Sequence, residues 1–429
     1  MMKKSAPILY QLSEAIVDGK RNYDEATMHN GARVVADTLG TAYGGVLTDA
    51  FKRALTSKDK LFGKGNYGII GTQDTTSIGG AIFFSTLAIS STDYDEGHRM
   101  AVGHPASMIV PAAIIIGDDI KASKTEIIKA VIIGYDIATR FSNARIKEKI
   151  TTYSSGRWGA IGTAATVSYL LKLNIEQTMH ALSNAAILSP TMLGGSTDVS
   201  TGSMSKEGAA WAAQSGLQST LFAKDDFVGP YLFVDYHDDY DKKILVKDLG
   251  TTWLINSNYF KPYACCRWLH SAIAAMMGIK KDYKLNVDEI DSIEVSVFSR
   301  AIDLIGSRYP QNVVQAQFHL PYCVAIGLLF GDVSPDRFTN DNLKNKAVLR
   351  LIDKVVVKSD DGFNKLFPSK LPSKVKVANF NGSVLSKEII SAPWDADNKA
   401  TDEELFDKLV GQAGDEGVKL WNRFVRGSD

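Results

Sequence analysis

The run GAIGTAATVSYLL, from Gly159 to Leu171, decides the fold class. Its small residues Gly159, Ala160, Gly162, Ala164 and Ala165 lead into Val167, Tyr169 and Leu170, and small side chains let helices approach one another closely. Such a helix belongs inside a bundle of others. Outward from it, the chain up to about Asn256 is rich in Ala, Ile, Leu and Gly, with helix-length amphipathic stretches between polar, glycine-containing breaks. Ser123 and Glu126 form a capping box ahead of Ile127, Ile128, Val131 and Ile132, which predicts a helix running to about Phe141. Asn174 and Gln177 do similar work before Met179, Ala181, Leu182 and Ala185. No fixed-period repeat occurs, so a compact helical domain is expected rather than a solenoid.

After Ser257 the texture changes. Ile290, Ile293, Val295 and Val297 alternate, Val355 to Val357 is β-branched, and Val375, Val377 and Val384 flank an Asn381-Gly382 pair, the strongest short-range hairpin signal in the chain. Pro321 to Phe330 and Leu343 to Ile352 read as helices between these strands. A last capping box, Thr401 with Glu404, precedes Leu405, Leu409 and Val410, so the C-terminus is expected to rejoin the helical part. The expected layout is two-domain: a large all-α domain over 1–256, a smaller α/β lid over 257–394, and a helical segment over 395–429 that returns to the first domain.

The 429 residues provide ample core, and a hydrophobic share of 45% with 22% charged residues excludes a disordered or collagen-like chain. Lys and Arg together number 48, as do Asp and Glu, so there is no overall attraction to nucleic acid or an anionic membrane. The apolar stretch from Met108 to Ile116 is interrupted by Pro111 and falls well short of a spanning helix. No secretory h-region follows Lys3 and Lys4, and Cys265, Cys266 and Cys323 make no disulfide framework, so the expected location is cytoplasmic.

Three segments could carry chemistry. Thr92 to Arg99, followed by Gly103-His104-Pro105, gathers Asp93, Asp95, Glu96, two histidines and Arg99, and Pro105 suits the first position of a helix. His104 would then stand just ahead of a helix N-terminus as a candidate base, although clustered polar residues also mark plain solvated loops. Gly194-Gly195 and Gly202 to Ser205 run into Lys206-Glu207-Gly208, where free backbone N–H groups and a lysine could hold a carboxylate or phosphate. The spacing matches neither a P-loop nor a dinucleotide fingerprint. Lys261 to His270 brings Lys261, Cys265, Cys266, Arg267 and His270 to the seam where the composition shifts, a common place for a site. The thiols read equally as inert packing, and no H-E-x-x-H or other metal pattern occurs. Tyr322 could reach a site through its hydroxyl, while His29, His180, His237 and His319 read as structural.

At these segments the chain resembles the MmgE/PrpD, or 2-methylcitrate dehydratase, family. Asp93 to Pro105 is similar to the family's acidic run leading to His-Pro, and Gly156 to Leu173 to its glycine- and alanine-rich helix. Lys206 to Gly216 resembles its lysine motif, Lys261 to His270 its interdomain K-P-Y-P-C-C stretch, and His319 to Gly331 the segment holding its tyrosine. The resemblance implies a homodimer and cofactor-independent chemistry, with no metal, on small di- or tricarboxylates. The reactions it implies are dehydration of 2-methylcitrate, decarboxylation of cis-aconitate or epimerisation of iminodisuccinate. By motif position it implies Asp93, His104, Lys206, Lys261 and Tyr322 as active-site residues. The chain departs from the pattern at Gly97, where dehydratase-like and decarboxylase-like members often carry Thr, and at Cys266, where decarboxylases carry His. Its lysine motif is also one residue shorter before its Ser-Gly.

All three reactions involve proton transfer, or loss of CO2, at carbon next to a carboxylate, and so need fixed positive groups against developing enolate charge. The expected division of labour has His104 as general base oriented by Asp93, His270 or Tyr322 as acid, and Lys206 among the catalytic groups, while Arg99, Lys261, Arg267 and Cys266 bind substrate. A noncatalytic organic-acid binder on the same fold is the competing expectation.

Overall fold

The computed structural model describes residues 6–18, 21–152, 154–190 and 199–427. The larger domain is built from α1 (Ile8–Val17), α2 (Glu25–Gly45), α3 (Ile78–Ser91), α4 (Pro105–Asp119), α5 (Lys124–Asn143), α6 (Gly156–Leu170), α7 (Ile175–Leu188) and α8 (Ala209–Lys224). The small-residue helix α6 lies at the centre, packed on α4, α5, α7 and α8. A Cβ on Gly162 would stand 2.7 Å from the Gly134 carbonyl oxygen of α5, so a larger residue there would wedge the two helices apart. Ile109, Ile132, Phe141 and Leu182 are wholly buried in this core. Each such side chain contributes roughly 1.5–3 kcal/mol.

Of the two start signals, the capping box expected at Ser123 forms only its first half, and the one at Asn174 forms in full. The Ser123 hydroxyl accepts the Glu126 N–H at 3.2 Å ahead of α5, and Asn174 with Gln177 forms both halves of a capping box ahead of α7. Among the described residues, no helix is long and apolar enough to cross a membrane.

Two short strands, β1 (Gly97–His98) and β2 (Asn258–Tyr259), pair antiparallel with Gly97 opposite Tyr259 and stitch the loop after α3 to the start of the second domain. That domain holds α9 (His270–Asp282), β3 (Ile290–Val297), α10 (Leu320–Phe330), α11 (Lys346–Lys354), β4 (Val355–Ser359), β5 (Ser373–Asn379) and β6 (Val384–Ile389). Its sheet has the order β4-β3-β5-β6, with β3 and β4 parallel and the other pairs antiparallel. Ile293, Val295 and Val297 alternate into a core shared with Ile273, Met276 and Val324. The Asn381-Gly382 turn closes the β5–β6 hairpin, with Gly382 at φ 82° and its N–H on the Asn379 carbonyl at 2.9 Å. The helix expected over 343–352 splits in two. Asn345 accepts the Ala347 N–H at 2.9 Å and starts α11 afresh after a separate turn at Asn340–Leu343.

The chain then returns. The capping box of Thr401 and Glu404 begins α12 (Asp402–Ala413), which packs on α2 and sends Leu405 and Leu409 into the helical core. The structure is thus a two-domain fold, a large helical domain beside a smaller α/β one. Gly194-Gly195 lies outside the described residues.

Candidate active site

The loop after α3 makes a tight excursion before α4 begins. Asp93 sits at φ 52° and Val102 at φ 51°, both in the left-handed region that costs a non-glycine residue about 1–3 kcal/mol. The surroundings hold them there. Glu96 is fully buried, its carboxyl accepting the Ala106 N–H at 2.8 Å and the Tyr135 hydroxyl at 2.8 Å, which anchors the loop to the first turn of α4. Burial pushes the Glu96 carboxyl up to about 8, so it stands neutral at pH 7. From α12, Lys408 pairs with Asp37 at 2.7 Å and donates to the Tyr94 carbonyl at 2.9 Å, fixing the residue beside Asp93.

His104 is the N-cap residue of α4 and Pro105 opens the helix. Its Nδ1 lies 2.7 Å from the Glu96 carbonyl oxygen. A carbonyl can only accept, so the neutral ring carries its proton on Nδ1 and presents the Nε2 lone pair toward the site. Nε2 is 3.9 Å from the Asp93 carboxylate, and Asp95 stands 3.5 Å behind Nδ1.

Asp93 is also the meeting point of two lysines that are far away in sequence. Lys206 Nζ is 3.4 Å from one carboxylate oxygen, and Lys261 Nζ is 3.3 Å from the other and donates to the Asp93 carbonyl at 2.8 Å. Burial alone would push the Asp93 carboxyl up, but Lys206, Lys261 and His104 outweigh it and hold the group well below the usual carboxylate range. Burial works against the Lys261 charge as well, and Asp93 and Asp95 reverse it, leaving the ammonium raised. Lys206 is delivered by a strained turn, Lys206 at φ 38°, Glu207 at φ 59° and Gly208 at φ 71°, before α8 starts. Glu207 braces that turn by accepting the Ser155 N–H at 2.8 Å and the Ser155 hydroxyl at 2.6 Å.

These groups open on a cavity of about 400 Å3 between the two domains, within the range of small-molecule sites. Asp93, Arg99, His104, Lys261, Cys266 and Arg267 all line it, and Lys206 lines a small recess shared with Asp93, His104 and Glu207. Asp395 ties Arg99 to Arg267, the latter pair at 3.1 Å, so two guanidinium groups from different domains share one carboxylate. Burial pushes the Cys266 thiol up to about 12, which keeps it protonated and a poor nucleophile.

Two expected positions are corrected by the packing. His270 is wholly buried outside the cavity lining, with Arg267 at 3.1 Å from Nδ1 and the Cys265 carbonyl at 3.2 Å from Nε2. Burial, then Arg267 and Lys261, hold it well below the ordinary histidine range, so it is a neutral structural ring. Tyr322 is likewise buried in the α/β core and spends its hydroxyl on the Arg337 carbonyl at 2.8 Å. Neither side chain is placed to pass a proton to a ligand in the cavity.

Trp268 also lines the cavity from within the Lys261 to His270 segment, whereas Tyr259, Arg300 and Phe318 line it from outside the segments singled out in the sequence. Gln317 is a further omission. Its carbonyl accepts the Cys266 N–H at 2.8 Å, and its amide reaches Lys206 at 3.3 Å and the Ser91 carbonyl at 3.2 Å, joining both domains beside Asp93. Its place two residues before His319 was the available hint.

A metal could take one atom each from Asp93, Asp95 and His104, which lie within 4.8 Å of one another. Two ammonium groups already occupy Asp93, so a divalent ion there would face immediate cationic repulsion. The lining suits an anion instead.

The cavity thus sets a histidine, His104, opposite the cations Lys261, Arg99 and Arg267. The chain belongs to the MmgE/PrpD family: the N-terminal domain of that family matches residues 11–243 and the C-terminal domain residues 263–415. The cis-aconitate decarboxylase-like protein oryM of Aspergillus oryzae is 23% identical over 75% of this chain and 72% of its own length. A cis-aconitate decarboxylase of Aspergillus terreus is 23% identical over 81% of this chain and 78% of its own.

Proposed function

We propose that this protein is a lyase of the 2-methylcitrate dehydratase type, acting on a small di- or tricarboxylate by proton transfer at the carbon next to a carboxylate. The observation that supports this reading is the Nε2 of His104 beside an Asp93 carboxylate kept ionised by Lys206 and Lys261. His104 takes the proton, and Asp93 orients and stabilises the imidazolium that results. The C–H electron pair becomes the new double bond and the hydroxyl leaves as water, taking its one proton from the Lys206 ammonium. Arg99, Arg267 and Lys261 balance the substrate's carboxylates.

A second reading, epimerisation, draws on Cys266. This chain places a protonated thiol on the cavity wall five residues after Lys261, where the resemblance leads one to expect His in a decarboxylase. In an epimerase the same His104 removes a proton that is returned to the other face of the carbon. Incubating the protein with 2-methylcitrate, citrate, cis-aconitate and iminodisuccinate in heavy water, read by NMR, tests both. Loss of water with deuterium in recovered substrate supports the lyase, deuterium with inverted configuration the epimerase. Binding with no C–H exchange would overturn both in favour of a binder.

The division at residues 257 and 395, a homodimeric assembly and a cytoplasmic location belong to the same proposal. Sedimentation at micromolar concentration tests the dimer.

A further inference from the structure

Gly97 and Tyr259 face each other across the β1–β2 pair, and their fit is unusually close. A Cβ on residue 97 would lie 2.3 Å from the Tyr259 hydroxyl oxygen and 2.5 Å from the ring carbon bearing it, so only glycine leaves room for the phenol in this place. The ring is held from its other side by Arg267, whose guanidinium carbon lies 4.6 Å from the ring centroid. Arg267 is in turn fixed by Asp395 and by the Pro393 carbonyl at 2.8 Å. Tyr259 is only 5% exposed and lines the cavity beside Asp93, His104 and Lys261. No hydrogen bond joins its hydroxyl to any described residue. Buried tyrosine hydroxyls ordinarily find a partner, and this one belongs to a residue that lines the cavity.

We propose that the Tyr259 hydroxyl is a substrate-contacting hydrogen-bond donor of this site, aimed at a carboxylate or hydroxyl oxygen of the bound acid, and that residue 97 is glycine in order to seat it. The inference rests on the polycarboxylate reading and adds a specificity-determining group to it. Burial raises the phenol well above its usual range, so it meets an anionic oxygen as a donor and never as a competing phenolate. No covalent step is required of it.

The test is Tyr259→Phe, which keeps the ring and its Arg267 contact and removes one oxygen. A hydrogen bond to a charged group predicts a loss of about ten- to hundredfold in kcat/KM on whichever acid the native protein converts, with the melting temperature unchanged. Gly97→Ala, which drives a methyl group into the phenol oxygen and its ring carbon, should reproduce that loss. Where the native protein binds citrate or cis-aconitate without converting it, calorimetric Kd replaces kcat/KM as the readout. Native conversion or binding with Y259F within twofold overturns this inference alone. A fully active Gly97→Ala overturns the seating. A native protein that neither converts nor binds these acids overturns the inference together with the functional reading beneath it.

Discussion

On the helical side of the cavity, His104 commits one ring nitrogen to the Glu96 carbonyl and turns the other toward Asp93; on the α/β side, His270 has both nitrogens occupied, by Arg267 and the Cys265 carbonyl. Both rings stand at the start of a helix, in segments that looked equally able to do chemistry. The difference lies in what surrounds them. The helical side keeps charged groups in register around a strained loop, whereas the α/β side buries its titratable groups as neutral fillers: His270 held unprotonated, Cys265 and Tyr322 held protonated. Its charged groups at the cavity are Lys261 and Arg267, each fixed by a carboxylate. Under the proposed function, the seam divides the work, with proton transfer on one wall and charge compensation on the other.

Replacing His104 by Ala gives the sharpest break between the two walls. Turnover should fall by about 10²–10⁴-fold, while circular dichroism stays near native and the melting temperature falls modestly, because the Nδ1 contact to the Glu96 carbonyl goes with the cavity-facing nitrogen. An active H104A would dissolve the contrast. Lys261→Met should come next and act mainly on folding: removing one partner of a buried ion pair leaves Asp93 less compensated, at about 3–5 kcal/mol. Urea unfolding measures it, and a variant as stable as the native protein would show that Lys206 alone suffices. His270→Ala should destabilise by about 1–3 kcal/mol, from the unpaired Cys265 carbonyl and Arg267 donor. Its effect on kcat should be small beside that of H104A; an equal loss would return His270 to the chemistry.

Two acids three residues apart sharpen the comparison through pH. Glu96 is raised from 4.5 to about 8 by burial, so between those values the folded state binds the proton more strongly than the unfolded one. Its contribution to stability is full below pH 4.5 and is lost as pH rises toward 8. Asp93 is shifted the other way: its contribution is present above the unfolded carboxylate value and is lost as pH falls through the depressed folded one. Chemical unfolding across pH should therefore show Glu96→Gln removing part of the decline between pH 4.5 and 8, and Asp93→Asn part of the acid one below the usual carboxylate value. Identical profiles for the two variants would contradict the assignment. The smallest effect belongs to Cys266, whose thiol, raised to about 12, should react only slowly with iodoacetamide at pH 8 despite lining the cavity. Rapid alkylation, followed by mass spectrometry, would mean that the thiol is less buried than its packing indicates.

Capping residues, the small-residue pattern of α6, the alternation of β3 and the Asn381-Gly382 turn act over a few residues, and local pattern suffices to read them. It also determined that Asp93, His104, Lys206 and Lys261 stand in segments capable of chemistry. Only the tertiary structure decided that the two lysines meet on one carboxylate, because Asp93 is separated from Lys206 and Lys261 by many helices whose packing no local pattern encodes. Tertiary packing likewise left His270 and Tyr322 out of the cavity lining and brought in Tyr259 and Arg300. Whether a histidine serves as a base or a filler depends on which of its nitrogens remains unengaged. Residues brought close only by the folded chain decide that.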